Sequence, residues 1–104
     1  MPAYVVVEAR IHDRERFAAY ARRVPEIVAQ YGGEYLALGG AQEVLEGDWG
    51  ESRVVLHRWP DAASARRFWQ SPEYVEAKAL RAGTGEFRVN LVEGLAEETL
   101  EGGR

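Results

Sequence analysis

The feature that most constrains the fold of this chain is an alternation of strand-like and helix-like segments along residues 3–93. Residues 3–11 (AYVVVEARI) are rich in β-branched side chains and end in an alternating pattern, which is typical of a strand. The next segment, to about residue 31, repeats apolar side chains every three or four positions, which predicts a helix capped by Asp13. Pro25 lies inside that helix and removes one backbone donor, so we expect a kink or a local break there.

The second half of the chain continues the alternation. Residues 34–59 predict a long hairpin that bends near Gly39 and turns at residues 47–50. A second helical region follows, restarted by Ser71 as an N-cap, and residues 86–93 form the last predicted strand. The order β-α-β-β-α-β is the split βαβ arrangement, and right-handed crossovers place strands one and three in the middle of one antiparallel sheet.

Size, charge and composition limit the classes of function. The 104 residues hold one domain, which we place at residues 1–94, and the acidic residues 95–104 are expected to form a flexible tail. The chain has no cysteine, which excludes disulfides, thiolate nucleophiles and Cys-ligated metals. A net charge of −4 argues against a surface that neutralises nucleic-acid phosphates. The apolar run Tyr4–Val7 is too short for a signal peptide or a membrane span, so we expect a cytoplasmic protein with no nucleic-acid or membrane partner.

The two faces of the predicted sheet differ in polarity. We expect both helices to cover the same face, because both crossovers have the same hand. The predicted covered face is apolar and comprises Val5, Val7, Ala9, Val54, Leu56, Phe87, Val89 and Leu91. The opposite face is mixed and comprises Tyr4, Val6, Glu8, Arg10, Arg53, Val55, His57, Trp59, Arg88, Asn90 and Val92. One small sheet would not leave so many apolar side chains in water, so the pattern predicts a homodimer joined through the mixed face.

Several motifs resemble the DUF1330 family of small proteins of unknown function. They are YGG at 31–33, EGDW at 46–49, RVVLHRWP at 53–60, FWQSPEY at 68–74 and LVEG at 91–94. The resemblance covers about residues 3–94 and implies a ferredoxin-like α+β fold of the dimeric α+β barrel superfamily, in which two sheets face each other around a cleft. That superfamily includes cofactor-independent monooxygenases, small isomerases, haem enzymes and proteins with no known activity. The family usually has a glutamate where this chain has His57, so a role for this histidine would be particular to this protein.

Glu8 and His57 are the candidate catalytic residues, since they lie on neighbouring predicted strands and on the same predicted face. A carboxylate that orients an imidazole can make it a general base near neutral pH. Asn90, Arg88 or Arg53 would then stabilise a developing enolate or oxyanion. The alternative is a Glu–His–Arg network that only satisfies polar groups buried by dimerisation.

The EGDW turn supplies one more candidate, Trp49, which would either stack on a ligand at the lip of the cleft or cover an edge of the core. His12 is expected in a solvated turn, and two histidines without clustered carboxylates predict no metal site and no cofactor. Two functions remain open. One is a homodimer with a small-molecule cleft between its sheets, which would act without a cofactor, by proton transfer or oxygenation, on a small organic acid or aromatic compound. The other is a non-catalytic dimeric binding or structural module.

Overall fold

The fold of residues 1–96, the part of the chain that the computed structural model describes, is one antiparallel sheet with helices on one face. Its elements are β1 (Ala3–Ile11), α1 (Arg14–Gln30), β2 (Glu34–Leu38), β3 (Arg53–Trp59), α2 (Ala62–Gln70), α3 (Pro72–Ala79) and β4 (Gly85–Glu93). The strand order is β2-β3-β1-β4, with β1 and β3 central as predicted. This is the ferredoxin-like topology, so the predicted α+β fold is confirmed. The tail predicted at residues 95–104 lies, from residue 97 onward, outside the described residues.

Side-chain caps begin the helices where the sequence predicts them. The Asp13 carboxylate accepts a hydrogen bond from the backbone N–H of Arg16 at 3.1 Å, at the start of α1. The hydroxyl of Ser71 accepts one from the backbone N–H of Tyr74, also at 3.1 Å, and starts α3. The Asp13 cap separates α1 from β1, and the Ser71 cap separates α3 from α2. No described helix is long and apolar enough to cross a membrane.

Two local predictions differ from the structure. α1 is continuous through Pro25, so the predicted alternative of a local break is wrong, and the Ala21 carbonyl that loses its helical partner belongs to an exposed residue that water can reach. The hairpin does not continue as strand after Gly39, and residues 39–52 form an irregular loop. Gly39 has φ +66°, which takes the backbone out of the β region.

The register of β3 places its side chains on the faces opposite to those predicted. His57 pairs with Val5, and Leu56 pairs with Val6. Residues paired across antiparallel strands lie on the same face, so His57 shares the helix-covered face with Val5. The same register moves four predicted open-face residues to the covered face: Arg53, Val55, His57 and Trp59. Val54 and Leu56 take the open face instead, whereas the predicted faces of β1 and β4 are correct.

The hydrophobic core lies between the covered face and the helices. Trp59 and Phe68 are its largest fully buried side chains, with ring centroids 4.9 Å apart. Val24, Ile27 and Val28 contribute the buried stripe of α1. Trp59 was expected on the open face, and its place in the core follows from the register of β3.

Candidate functional site

A cavity of about 100 Å³ lies between the covered face of the sheet and the helices. Val5, Val7 and Ala9 of β1 line the sheet side. Tyr20, Phe68 and Tyr74 line the opposite side, one from each helix. No Asp or Glu of residues 1–96 lines it, whereas three basic side chains do: Arg53, His57 and Arg81. The cavity lies within one chain and therefore differs in position from the cleft between two sheets that the sequence suggested.

His57 is a buried imidazole at the edge of this cavity, only 5% exposed. Its ring packs edge-on against Tyr35 and Phe68, with centroid distances of 4.9 and 6.1 Å. Nδ1 has no hydrogen-bond partner among the described residues, and burial lowers the pKa of His57 to about 4, so the ring is neutral at pH 7. Trp59 Nε1 is also buried without such a partner, but Trp59 does not line the cavity. Among the described residues that line the cavity, His57 therefore holds the fully buried side-chain polar atom without a hydrogen-bond partner.

Tyrosine hydroxyl groups are further uncharged polar groups among the residues that line the cavity. The hydroxyl oxygens of Tyr20 and Tyr74 are 3.0 Å apart and share a hydrogen bond. Burial raises the pKa of Tyr35 to about 12, and burial together with neighbouring Tyr20 raises the pKa of Tyr74. Tyr35 and Tyr74 therefore stay protonated, and they contribute polarity without negative charge.

Arg81, just after α3, is a cavity residue that the sequence analysis did not select. It is 8% exposed, and its guanidinium carbon lies 4.2 Å from the ring centroid of Phe87 and 5.1 Å from that of Tyr20. No described carboxylate forms an ion pair with it. A basic residue at the end of a helix is normally exposed to solvent, so no local sequence pattern predicts that Arg81 is buried.

Arg53 lies at the same end of the cavity as Arg81. Arg53 pairs with Ala9, and Ala9 pairs with Phe87, so the three residues form one row across the covered face. The Arg53 side chain runs against Gly39, where a Cβ atom would clash with Nε. The small side chain of Ala9 thus lies between Arg53 and Phe87 in this row, and the Arg81 guanidinium stacks on the Phe87 ring.

The predicted contact between Glu8 and His57 is wrong. Glu8 pairs with Val54 and lies on the open face, whereas His57 lies on the covered face. The Glu8 carboxylate accepts a hydrogen bond from the Arg88 guanidinium at 2.6 Å instead. Because the sheet separates the two side chains, Glu8 cannot orient the imidazole.

The structure divides the other predicted site residues between the two faces. Glu8, Arg88 and Trp49 border a shallow depression on the open face, and Asn90 lies on the same face opposite Val6. Trp49 is half exposed and its indole donates a hydrogen bond to the Glu46 carbonyl. No three His, Asp or Glu side chains converge anywhere in residues 1–96. Ligand binding by Asn90, Arg88 and Trp49 stays a prediction.

Solved structures with the same fold come from proteins of different kinds. RPA0582, a protein of unknown function from Rhodopseudomonas palustris, matches with a TM-score of 0.75 and 20% identity, over 91% of this chain and 83% of its own. SnoaB, a cofactor-independent oxygenase from Streptomyces nogalater, matches with a TM-score of 0.66 and 16% identity, over 91% and 94%. The de novo designed protein Foldit4 matches with a TM-score of 0.61 and 19% identity, over 91% and 100%. Since a designed protein shares this fold, the similarities establish the fold and leave the activity open.

Family membership comes from the sequence rather than from these structures. A comparison with curated proteins finds no match. Residues 2–95 match the family described as "Domain of unknown function (DUF1330)", a range that includes almost every residue described above. The resemblance carried by the sequence motifs is confirmed, and the chain belongs to the DUF1330 family.

Proposed function

We propose that this protein binds a small aromatic compound in the cavity between sheet and helices, with His57 as the group that hydrogen-bonds to it. The main support is the buried imidazole, whose Nδ1 has no partner among the described residues. Leaving a buried polar atom unpaired costs about 1–3 kcal/mol, and a ligand that donates a hydrogen bond to His57 would recover that energy.

The size and walls of the cavity favour a single aromatic ring. An engineered apolar cavity of about 150 Å³ takes up benzene, so this smaller cavity of about 100 Å³ can enclose no more than one ring, with polar substituents at its border. Phe68, Tyr74 and Trp69 present ring faces and edges to this space, which favours offset or edge-on contacts with a second ring.

As an enzyme, this site would work by proton transfer without a bound cofactor. The neutral imidazole of His57 would take a proton from an O–H or acidic C–H of the ligand and leave a ligand anion beside an imidazolium. In an isomerisation the proton would return from the imidazolium to another carbon. In an oxygenation a carbon of the deprotonated ligand would form a C–O bond to dioxygen, and the imidazolium would return its proton to give a hydroperoxide. Loss of water, made from the C–H hydrogen and the outer O–H of that hydroperoxide, would leave a carbonyl group on the ligand. A pKa of about 4 makes His57 a weak base in the free protein, and the negative charge that develops on the ligand raises that pKa as the proton moves. An acidic hydroxyl group is therefore the favoured proton donor.

We also propose that the chain is a homodimer joined through the open face of the sheet. Tyr4, Val6, Val54 and Leu56 lie there only partly covered, next to the polar side chains of the same face. Leu45, in the loop after β2, is 88% exposed and would gain cover from a partner. This face alone would also serve a non-catalytic dimeric module, which is the second candidate function. The cytoplasmic location predicted from the sequence stays a prediction.

A ligand screen on matched variants tests the binding function. Single-ring phenols, acids and amides are screened by thermal shift, and hits are titrated by calorimetry, with wild type, His57→Phe and His12→Gln. His57→Phe keeps an aromatic ring and removes both nitrogens, whereas His12 is an exposed histidine outside the cavity. We expect hits that bind wild type and His12→Gln equally and bind the folded His57→Phe protein at least tenfold more weakly. If no compound binds, or if the compounds that bind have the same affinity for His57→Phe as for wild type, the result would favour the dimeric module.

A further inference from the structure

The cavity contains a buried cation whose charge no described side chain neutralises. Arg81 is 8% exposed and forms no ion pair within residues 1–96. Its stacking on Phe87 and Tyr20 offsets only part of the cost of removing a guanidinium from water. Arg81 would therefore be stabilised further by an anion that enters the cavity.

Arg53 adds a second positive charge at the same end of the cavity. The row Arg53–Ala9–Phe87 crosses β3, β1 and β4, and Arg81 stacks on the last of these residues. Ala9 has the smallest side chain of the row and leaves space above β1, and the Arg53 guanidinium lies beside Gly39 at the border of the cavity. Since no acidic side chain of the described residues lines the cavity, both charges act on whatever occupies it.

His57 lies further along β3, toward the other end of the cavity. Its Cα is four residues from that of Arg53, roughly 13 Å along an extended strand, and both residues line the cavity. Val55 lies between them on the same face, and Val7 lies opposite Val55 on β1. The cavity therefore has a cationic end, an apolar middle and a neutral hydrogen-bond acceptor.

We infer that the ligand is a hydroxylated aromatic carboxylate, with the carboxylate between Arg53 and Arg81 and the hydroxyl group donating to His57. This inference rests on the proposed binding function and names its ligand class. A carboxylate presents two oxygens in a plane, which matches the planar fork of a guanidinium group. A neutral imidazole nitrogen accepts a hydrogen bond from a hydroxyl group, and the aromatic ring fills the apolar middle.

Three probes separate the two polar ends of the ligand: 4-hydroxybenzoate, 4-hydroxybenzamide and benzoate. The amide keeps the shape of the acid and removes its charge, and benzoate lacks the hydroxyl group. Calorimetry at pH 7.5 is expected to show 4-hydroxybenzoate binding at least tenfold more tightly than the amide. In Arg81→Gln the ratio of the affinities for the acid and the amide falls toward one, while the preference for 4-hydroxybenzoate over benzoate persists. His57→Phe should show the reverse pattern.

Control variants keep the test decisive if Arg81→Gln does not fold. Arg53→Gln changes an exposed side chain and should also reduce the preference for the acid. Arg66→Gln, on α2 and outside this cavity, should leave the preference unchanged. Equal binding of the acid and the amide by wild type would overturn the inference and leave a small-molecule site intact. Absence of binding by all three probes would also overturn it, and the wider screen described above then decides separately whether the cavity binds anything.

Discussion

Val5 and His57 are paired across β1 and β3, and this pairing puts the imidazole on the helix-covered face of the sheet. Glu8, which the sequence predicts to orient this imidazole, lies on the other face and accepts a hydrogen bond from Arg88. The predicted site residues therefore form two separate sets. One lies in a cavity with aromatic walls, and the other lies on the face through which we propose dimerisation.

Replacing Glu8 tests the separation of the two faces. We expect Glu8→Gln to leave the affinity of any cavity ligand unchanged and to lower the free energy of unfolding by at most about 1 kcal/mol, because its partner Arg88 is 80% exposed. Urea denaturation and calorimetric titration measure the two quantities. A tenfold loss of ligand affinity in Glu8→Gln would contradict the assignment of Glu8 to the open face.

The buried imidazole should make stability depend on pH. The pKa of His57 is about 4 in the folded protein and near 6.5 when exposed, so between these values the unfolded state binds more protons. Stability associated with His57 is complete above pH 6.5 and falls as the pH is lowered toward 4, by a total of about 3 kcal/mol. The measurement is the difference in unfolding free energy between wild type and His57→Phe from pH 4 to 7.5, since other titrating groups cancel in that difference. A difference that does not change with pH would show that the pKa of His57 is the same in the folded and unfolded states, and His12→Gln serves as the control.

Much of the fold was predictable because its signals are local. The Asp13 and Ser71 caps each depend on one side-chain oxygen and the backbone N–H three residues later, and both caps are confirmed. The strand order follows from the order of elements and the handedness of crossovers. Both kinds of signal survive in a single sequence because they require no knowledge of how distant segments align.

The faces of β3 and the buried cation were not predictable in the same way. The segment RVVLHRW has apolar side chains in both phases of its alternation, so a shift of one residue reverses the assignment of every side chain. Leu56 then faces outward and His57 inward. Arg81 reaches the cavity only because the turn after α3 folds back toward Phe87. Such placements depend on tertiary packing, which no local pattern in one sequence encodes.

The close approach of Gly39 and Arg53 predicts that replacing Gly39 destabilises the fold, whereas replacing the neighbouring Gly40 does not. Gly39→Ala places a side chain at φ +66° and against Arg53, and we expect it to lower the unfolding free energy by about 1–2 kcal/mol. Gly40→Ala is the matched control, because a Cβ atom there meets nothing within 4 Å. Gly39→Ala should also displace the Arg53 guanidinium and weaken binding of 4-hydroxybenzoate. Equal stability of the two variants in urea denaturation would contradict this account of the loop.

The open face of the sheet predicts how the dimer can be separated without loss of the fold. Val6 and Leu56 are paired neighbours on that face, so Leu56→Glu would place a charge in the centre of the proposed interface. We expect light scattering to give a dimer for wild type and a monomer for Leu56→Glu, with unchanged far-ultraviolet circular dichroism. Val75→Glu is the control, because Val75 is 57% exposed on α3, away from the sheet. A wild-type monomer at micromolar concentration would contradict the dimer, and a dimer that persists in Leu56→Glu would move the interface to another surface. Since the cavity lies on the opposite face, a folded Leu56→Glu monomer should still bind the ligands of the wild-type protein.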